Sequence, residues 1–354
     1  MRYLFSNFNP VKTSCSTFID TFDDYFIQSD GIDIAVGYVS ADSVSELKKM
    51  VELNNIKHLN LTIGMHYFEK FTKPQYHAAM YLNDFLVDND MGCVRLVNAF
   101  RFHGKMYSFS KSGKPFAGII GSNNLSSIVD SQTRVYEASA VTENESETQQ
   151  MLDFIKKLNS SSAIISDLDI TEFNKNNPVL QDQDYVEEVD KADVLDCQNN
   201  LTDISFDIPI KATEKHGKSN LNVYFGKGRV DKRGLIKPRH WYEAELIVPS
   251  KITCQSGYPQ ASSDNAVFDV ITDDGYKFKI KVSGDYSKNF RSADDLKILG
   301  KWLKGRLENE GALKVGQPVT ESVLNAYGRT HFKLTKTKKD NLWYLDFNNN
   351  GGVI

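Results

Sequence analysis

The stretch "FRFHGKMYSF", Phe100 to Phe109, sets a histidine and a lysine two residues apart in an otherwise aromatic, aliphatic and small run. Read as a strand, it sends His103 and Lys105 to the same face, about 6.5–7 Å apart along the chain. Two cationic groups on one face ask for an anion. The triplet alone decides little, because His-x-Lys also occurs at His216/Lys218 and His331/Lys333, where charges on an exposed strand are sufficient explanation. What separates the first copy is the sequence after it, a further strand leading to "GSNNLS", Gly121 to Ser126. Gly121 and Ser122 let the backbone come close to a ligand, and Asn124 offers an amide donor beside them. Further on, Glu137 stands in "RVYEASAV", where its carboxylate could accept the Nδ1 proton of His103 and set the tautomer. The set reads as a phosphate site.

Outward from that stretch the chain alternates strands and helices. "IDIAVGYVS" (Ile32 to Ser40), "LNLTIGM" from Leu59, "CVRLV" (Cys93 to Val97), "GKMYSF" and "FAGIIGS" (Phe116 to Ser122) have the look of strands. Ser43 to Leu53 and Pro74 to Leu86 read as helices, the second with proline in its first turn. A helix from about Asn144 to Leu158 closes the unit. Successive β-α units predict a layered α/β domain over residues 1–165, a mixed sheet with flanking helices.

The chain has 354 residues, 40% of them hydrophobic and 25% charged, which suits an ordinary globular protein of two domains. The opening, MRYLFSNFNPVKTS, lacks the apolar core of a signal peptide, and no stretch approaches about 18 uninterrupted apolar residues. A cytoplasmic protein without membrane attachment is expected. Cys15, Cys93, Cys197 and Cys254 are scattered with no CxxC pair, so neither a disulfide framework nor a cysteine zinc site is signalled.

The net charge of -4 conceals an asymmetry. About 17 basic and 30 acidic residues precede position 210, against about 25 and 16 after it. Residues 166–207 are acidic, turn-rich and weakly periodic, as a linker should be. Residues 208–354 read as a mainly-β domain, a small barrel. It contains runs such as "WYEAELIVP" (Trp241 to Pro249) and "FDVITDDGYKFKIKV" (Phe268 to Val282), a helix over about Ala293 to Glu308, and a final hairpin in "HFKLTKTKKDNLWYLDF". In "FGKGRVDKRGLIKPRHWYE" (Phe225 to Glu243), Lys227, Arg229, Lys232, Arg233, Lys237 and Arg239 are interspersed with glycines that permit approach to a phosphate backbone. A second basic stretch, "SGDYSKNFRS" (Ser283 to Ser292), follows a strand. Double-stranded DNA is the expected partner. The assignment within it is phosphate contacts from Lys227 and Lys237, and base contacts from Arg229, Arg233, Lys288, Asn289 or Arg291.

The first constellation resembles the phospholipase D superfamily, whose motif runs HxK, then an aspartate, then GSxN. His103, Lys105, Gly121, Ser122 and Asn124 match it in order and spacing, while Ser110 stands where that superfamily usually has aspartate. The departure is similar to the restriction endonucleases of the superfamily, of the BfiI and NgoFVII type, which also keep a glutamate at the place of Glu137. The resemblance implies an α/β phospholipase-D-like nuclease and dimerisation domain, with His103, Lys105, Ser122, Asn124 and Glu137 as its site. Its implied chemistry uses no metal and no cofactor: a phosphohistidine forms on His103, and a second histidine acts as acid and base. One chain supplies one such motif, so a homodimer with a shared centre follows. The carboxy-terminal part resembles the B3-like pseudobarrel DNA-binding domains.

A metal-independent type II restriction endonuclease is therefore expected. Two alternatives stay open, a DNA-binding regulator whose first domain only dimerises, and a nuclease without sequence choice. The acidic segment leaves two readings open, a merely solvated linker and one in which Asp182, Asp184, Glu187, Glu188 and Asp190 lie across the cationic cleft in place of DNA.

Overall fold

The computed structural model describes residues 1–129, 135–174, 180–181, 183–212 and 221–349, without the side chain of Asn265. His216, Lys218 and Asp182 lie outside the described residues. The chain divides into two compact units. The first takes in Met1–Asn176 together with Lys227–Pro238 and Lys314–Gly316, and the second holds the remainder.

The first unit runs β1 (Arg2–Phe5), α1 (Phe18–Gln28), β2 (Gly31–Val36), α2 (Ala41–Leu53), β3 (His58–Ile63), α3 (His66–Glu69), α4 (Lys73–Asp88), β4 (Val94–Leu96), β5 (Lys105–Lys111), β6 (Lys114–Gly121), β7 (Ala138–Thr142), α5 (Glu145–Ser160) and β8 (Ala163–Ile164). Its sheet has the order β1-β7-β6-β5-β2-β3-β4-β8. β2, β3 and β4 are parallel and the remaining neighbours antiparallel, so the sheet is mixed as the alternating pattern predicts. Ser40 and Thr72 start α2 and α4 with capping boxes, and Pro74 sits in the first turn of α4. β5 turns into β6 through Ser112 and Gly113, with φ of 51° and 77°, the two-residue turn suited to twisted strands.

Strand alternation sorts the core. Tyr107 and Phe109 of β5 meet Phe22 of α1 edge-on, with centroids 5.9 and 5.6 Å apart. On the other face, Ile155 and Leu158 of α5 pack with Ala35 and Val97, and Met106 and Phe102 lie against them. Full burial of a side chain such as Phe22 or Phe109 is worth about 1.5–3 kcal/mol.

The remaining elements are β9 (Glu187–Glu188), α6 (Lys191–Asn199), β10 (Leu201–Pro209), β11 (Arg229–Val230), β12 (Ile236–Lys237), β13 (Leu246–Ile247), α7 (Ser250–Thr253), β14 (Val267–Thr272), β15 (Tyr276–Ser283), β16 (Asn289–Ser292), α8 (Lys297–Asn309), α9 (Glu321–Tyr327), β17 (His331–Thr337) and β18 (Leu342–Asp346). β11 and β12 form a hairpin counted with the first unit. In the second unit a curled half-barrel sheet has the order β10-β17-β18-β14-β15-β16-β13, with β9 alongside β15.

Several elements differ from the sequence expectation. The helix read from Ala293 begins at Lys297, because the Ala293 amide still donates to Lys279 in the sheet and the Asp295 carboxylate caps the Lys297 amide. In "WYEAELIVP" only Leu246–Ile247 is strand. Trp241, Tyr242 and Ala244 are all buried, so no alternation operates there, and the indole and phenol both donate to Glu308 on α8. The segment 166–207 contains β9, α6 and the start of β10. Asp190 caps α6, and Glu187 ion-pairs with Lys277 at 3.0 Å, so these carboxylates have partners inside the second unit.

Candidate active site and nucleic-acid interface

Gly37 and Gly64 end the parallel strands β2 and β3, and the histidine is held above them. A Cβ on Gly37 would meet His103 Cδ2 at 3.3 Å, and one on Gly64 would lie 1.9 Å from the Phe102 carbonyl oxygen. The Phe102 amide donates to the Gly64 carbonyl at 3.2 Å, which fixes the turn preceding His103. His103 is exposed just before β5, whereas Lys105 is buried as its first residue. Their side chains converge: Lys105 Nζ donates to the His103 carbonyl at 2.7 Å and lies 3.2 and 3.3 Å from the two ring nitrogens. Burial lowers the Lys105 pKa below the usual lysine range, and the Glu137 carboxylate opposes this.

Tyr38 joins the next elements to this pair. Its ring meets His103 edge-on at 5.6 Å, and its amide donates to Asn124 Oδ1 at 3.1 Å. With the carbonyl end of its amide so engaged, Asn124 keeps its NH2 for a ligand. The loop bearing Asn124 is fixed from beneath. Tyr107 donates its phenol proton to the Asn123 carbonyl at 2.8 Å, and Ser139 donates to the Asn123 side chain at 2.6 Å. Burial raises the Tyr107 phenol well above the usual range, so this donor stays protonated.

Ser122 ties β6 to β7. Its hydroxyl donates to the Ala138 carbonyl and accepts from the Ala138 amide, at 3.2 and 3.0 Å. Gly121 permits this pairing, since a Cβ there would meet Ser139 at 2.2 Å. Glu137 is anchored through its backbone, which exchanges hydrogen bonds with Ser6 at 2.9 and 3.0 Å. Its charge acts on Lys105 and Tyr107, and among the described residues no hydrogen bond joins it to His103. Ser110 lies an odd number of positions from Lys105 on the same strand, hence on the opposite face. It is buried beside Gly31, so the missing aspartate does not touch the cationic pair.

Sequence reasoning did not find Tyr38, Gly37, Gly64 or Tyr107. A glycine directly after each of two strand patterns, "IDIAVG" and "LNLTIG", was the available signal, since ligands gather at the carboxyl ends of parallel strands. Among the described residues no group of three or more His, Cys, Asp or Glu is placed to hold a metal, and no helix is long and apolar enough to cross a membrane.

The expected DNA-contacting residues fall in two places. In the hairpin grouped with the first unit, Lys227, Arg229 and Lys232 are exposed. Arg233 instead ion-pairs with Asp20, Asp24 and Asp23 at 2.9, 3.1 and 3.4 Å, and Lys237 reaches Asp23 at 2.6 Å. Asn54 clamps the same hairpin, exchanging hydrogen bonds with the Ile236 backbone at 3.0 and 3.1 Å. Desolvation raises the Asp23 pKa, against the pull of the Lys237 and Arg233 charges. In the second unit Arg239 grips Glu243, Arg291 lies 3.5 Å from Glu245, and Lys288, 3.7 Å from Asp285, ends the β15–β16 turn where Asn289 begins β16. β15 adds a row of lysines outside the two basic stretches. Lys277, Lys279 and Lys281 alternate with buried Phe278, Ile280 and Val282, and Arg291 sits across from Lys281.

A mixed sheet carrying an HxK pair beside a GSxN loop, followed by a curled β domain, defines a phospholipase-D-type domain joined to a B3-like one. Family models agree over both parts: the NgoFVII restriction endonuclease N-terminal PLD domain matches residues 16–172, and the NgoFVII C-terminal B3-like DNA-binding domain matches residues 196–338. The chain belongs to the NgoFVII restriction endonuclease family. Similar solved structures include NucT from Helicobacter pylori, at 13% identity and TM-score 0.31, covering 41% of this chain and 89% of that one. Another is the phospholipase D family member Nuc from Salmonella typhimurium, at 10% identity and TM-score 0.32, covering 46% and 95%. No curated protein matches the sequence.

Proposed function

We propose that the chain is a type II restriction endonuclease, recognising a sequence in duplex DNA and hydrolysing a phosphodiester without a metal at a centre shared by two copies. The observation that carries this reading is that buried Lys105 reaches the exposed ring of His103 while Tyr38 touches both His103 and Asn124, whose NH2 is left for a ligand. A neutral His103 nitrogen attacks phosphorus, forming an N–P bond as the bond to the leaving sugar oxygen breaks. His103 of a second copy protonates that oxygen, then takes a proton from water, whose oxygen displaces the first imidazole and restores both rings. Lys105 and Asn124 stabilise the charge on the phosphoryl oxygens. Among the described residues, His66 meets the same Tyr38 ring as His103 but is poorly suited to the second role. His66 is buried against Phe71 and turns its nitrogens to the backbone of Val39 and Lys70, which supports recruitment of the acid from a partner copy.

Incubation of the full chain with long duplex DNA in EDTA tests the reading. Discrete fragments that disappear in His103→Ala are expected. A smear would leave a nuclease without sequence choice, and intact but retarded DNA a binding protein. Sedimentation of wild-type protein as a monomer under cleaving conditions would overturn the shared centre.

A further inference from the structure

The turn between β15 and β16 carries an exposed aromatic ring on a backbone that an aromatic residue rarely adopts. Tyr286 is 77% exposed, and Tyr286 and Ser287 have φ of 58° and 54°, in the left-handed region disfavoured by any Cβ. Glycine would relieve this conformation. The preceding Gly284, at φ 74°, does so at its own position, where a Cβ would meet the Asn289 side-chain nitrogen at 2.9 Å. Among the described residues no ring contact of Tyr286 offsets the strain, because the ring is the part left outside. Strain held in place by its surroundings marks a position with a task.

The surroundings do hold it. Ser287 is 4% exposed; its hydroxyl donates to Gln260 Oε1 at 3.0 Å and accepts from the Ala261 amide at 2.9 Å. Its amide donates back to the Gly284 carbonyl at 3.1 Å. Gln260 is itself fixed, donating to the carbonyls of Thr253 and Tyr258 at 3.0 and 3.1 Å. With Ser287 pinned inward, the adjacent side chain is directed outward. The turn bearing Tyr286 follows β15, on which Lys279 and Lys281 alternate with buried neighbours, while Lys277, Arg291 and Lys288 are paired with Glu187, Glu245 and Asp285 at 3.0, 3.5 and 3.7 Å.

From this juxtaposition we infer that Tyr286 is a specificity-determining residue, its pre-positioned ring packing against base edges in a groove of duplex DNA while Lys279 and Lys281 engage the phosphates. A rigid aromatic tip loses little freedom on binding, and apolar contact with base edges discriminates sequence where phosphate contacts do not. The inference rests on the DNA-recognition part of the proposed function and not on the cleavage chemistry.

The test uses the full chain and duplexes enriched by its own binding from a random-sequence pool, with affinity measured for enriched and unselected duplexes. Tyr286→Ala should lose about tenfold or more affinity for the enriched duplex, and much less for the unselected one. Tyr286→Phe should stay within about threefold of wild type on both. Tyr286→Gly should bind like the alanine variant while melting about 2–4 °C higher, since the left-handed strain is relieved. A Tyr286→Ala protein that keeps wild-type preference overturns the inference. So does a Tyr286→Phe protein that loses as much as alanine, or a lowered melting temperature in Tyr286→Ala, which would make the ring structural. Wild-type protein that selects duplexes but cuts none defeats the nuclease reading alone, and wild-type protein that selects none defeats this inference together with the sequence-specific recognition on which it rests.

Discussion

Gly64 and Phe102 approach so closely that a Cβ on the first would stand 1.9 Å from the carbonyl oxygen of the second. The contact is backbone to backbone, so no rotamer change can relieve it. Gly64→Ala must move the turn that delivers His103, and a displacement of about 1 Å at a reacting group costs about 100-fold in rate. We expect that loss in single-turnover cleavage, with a melting temperature below wild type.

Asn124 and Ser110 separate what the site uses from what it does not. On the proposed mechanism, Asn124→Ala removes a donor to the phosphoryl oxygens, and cleavage should fall about 100- to 1000-fold. Ser110→Ala acts on the other face of β5 and should leave cleavage within about twofold of wild type. A loss for Ser110→Ala as large as that for Asn124→Ala would show that the opposite-face assignment is wrong.

Two pairs of basic residues in one hairpin should respond differently to salt. Lys227 and Lys232 are exposed, with no carboxylate partner among the described residues, while Arg233 and Lys237 are spent on Asp20, Asp23 and Asp24. Each of Lys227→Ala and Lys232→Ala should reduce the salt-dependence slope of DNA affinity by about 1. Lys237→Ala leaves the buried Asp23 with one counter-charge fewer. It should act mainly on stability, lowering the denaturation midpoint with little change in that slope.

A pH-dependent stability follows from Lys304. Its ammonium is fully buried on the Trp241 ring, bonded to the Trp241 carbonyl, and desolvation pushes its pKa down from 10.5 to about 7. The unfolded chain therefore binds more protons than the folded one between these values, so this residue's contribution to stability rises with pH across that window. From pH 7 to 9 the gain should be about 1 kcal/mol or more in denaturant unfolding, and Lys304→Met should remove it. Equal gains in wild type and variant would place the titrating group elsewhere.

The His103/Lys105 pair was visible as an HxK triplet and Asn124 as part of the GSxN that follows it, but His103 lies before β5, so it is the reach of Lys105 back to it, and not strand alternation, that brings the two together. Tyr38, which bridges His103 and Asn124, was not visible. It is separated from both by more than sixty residues, and only the pairing of β2 with β5, Val36 opposite Lys105, brings it there. The basic stretches were equally visible in composition, but composition does not say which cations are already paired.

Taken by itself, the chain's order of residues determined the alternating architecture, the two-part organisation and the cationic pair, since these depend on periodicity and on neighbours along the backbone. The tertiary structure alone decided which glycines admit the His103 turn, which arginines and lysines face carboxylates, and that Tyr286 is held outward under strain. Those properties arise from atoms brought within a few ångströms by sheet pairing and helix packing, and such distances are not a function of separation in sequence.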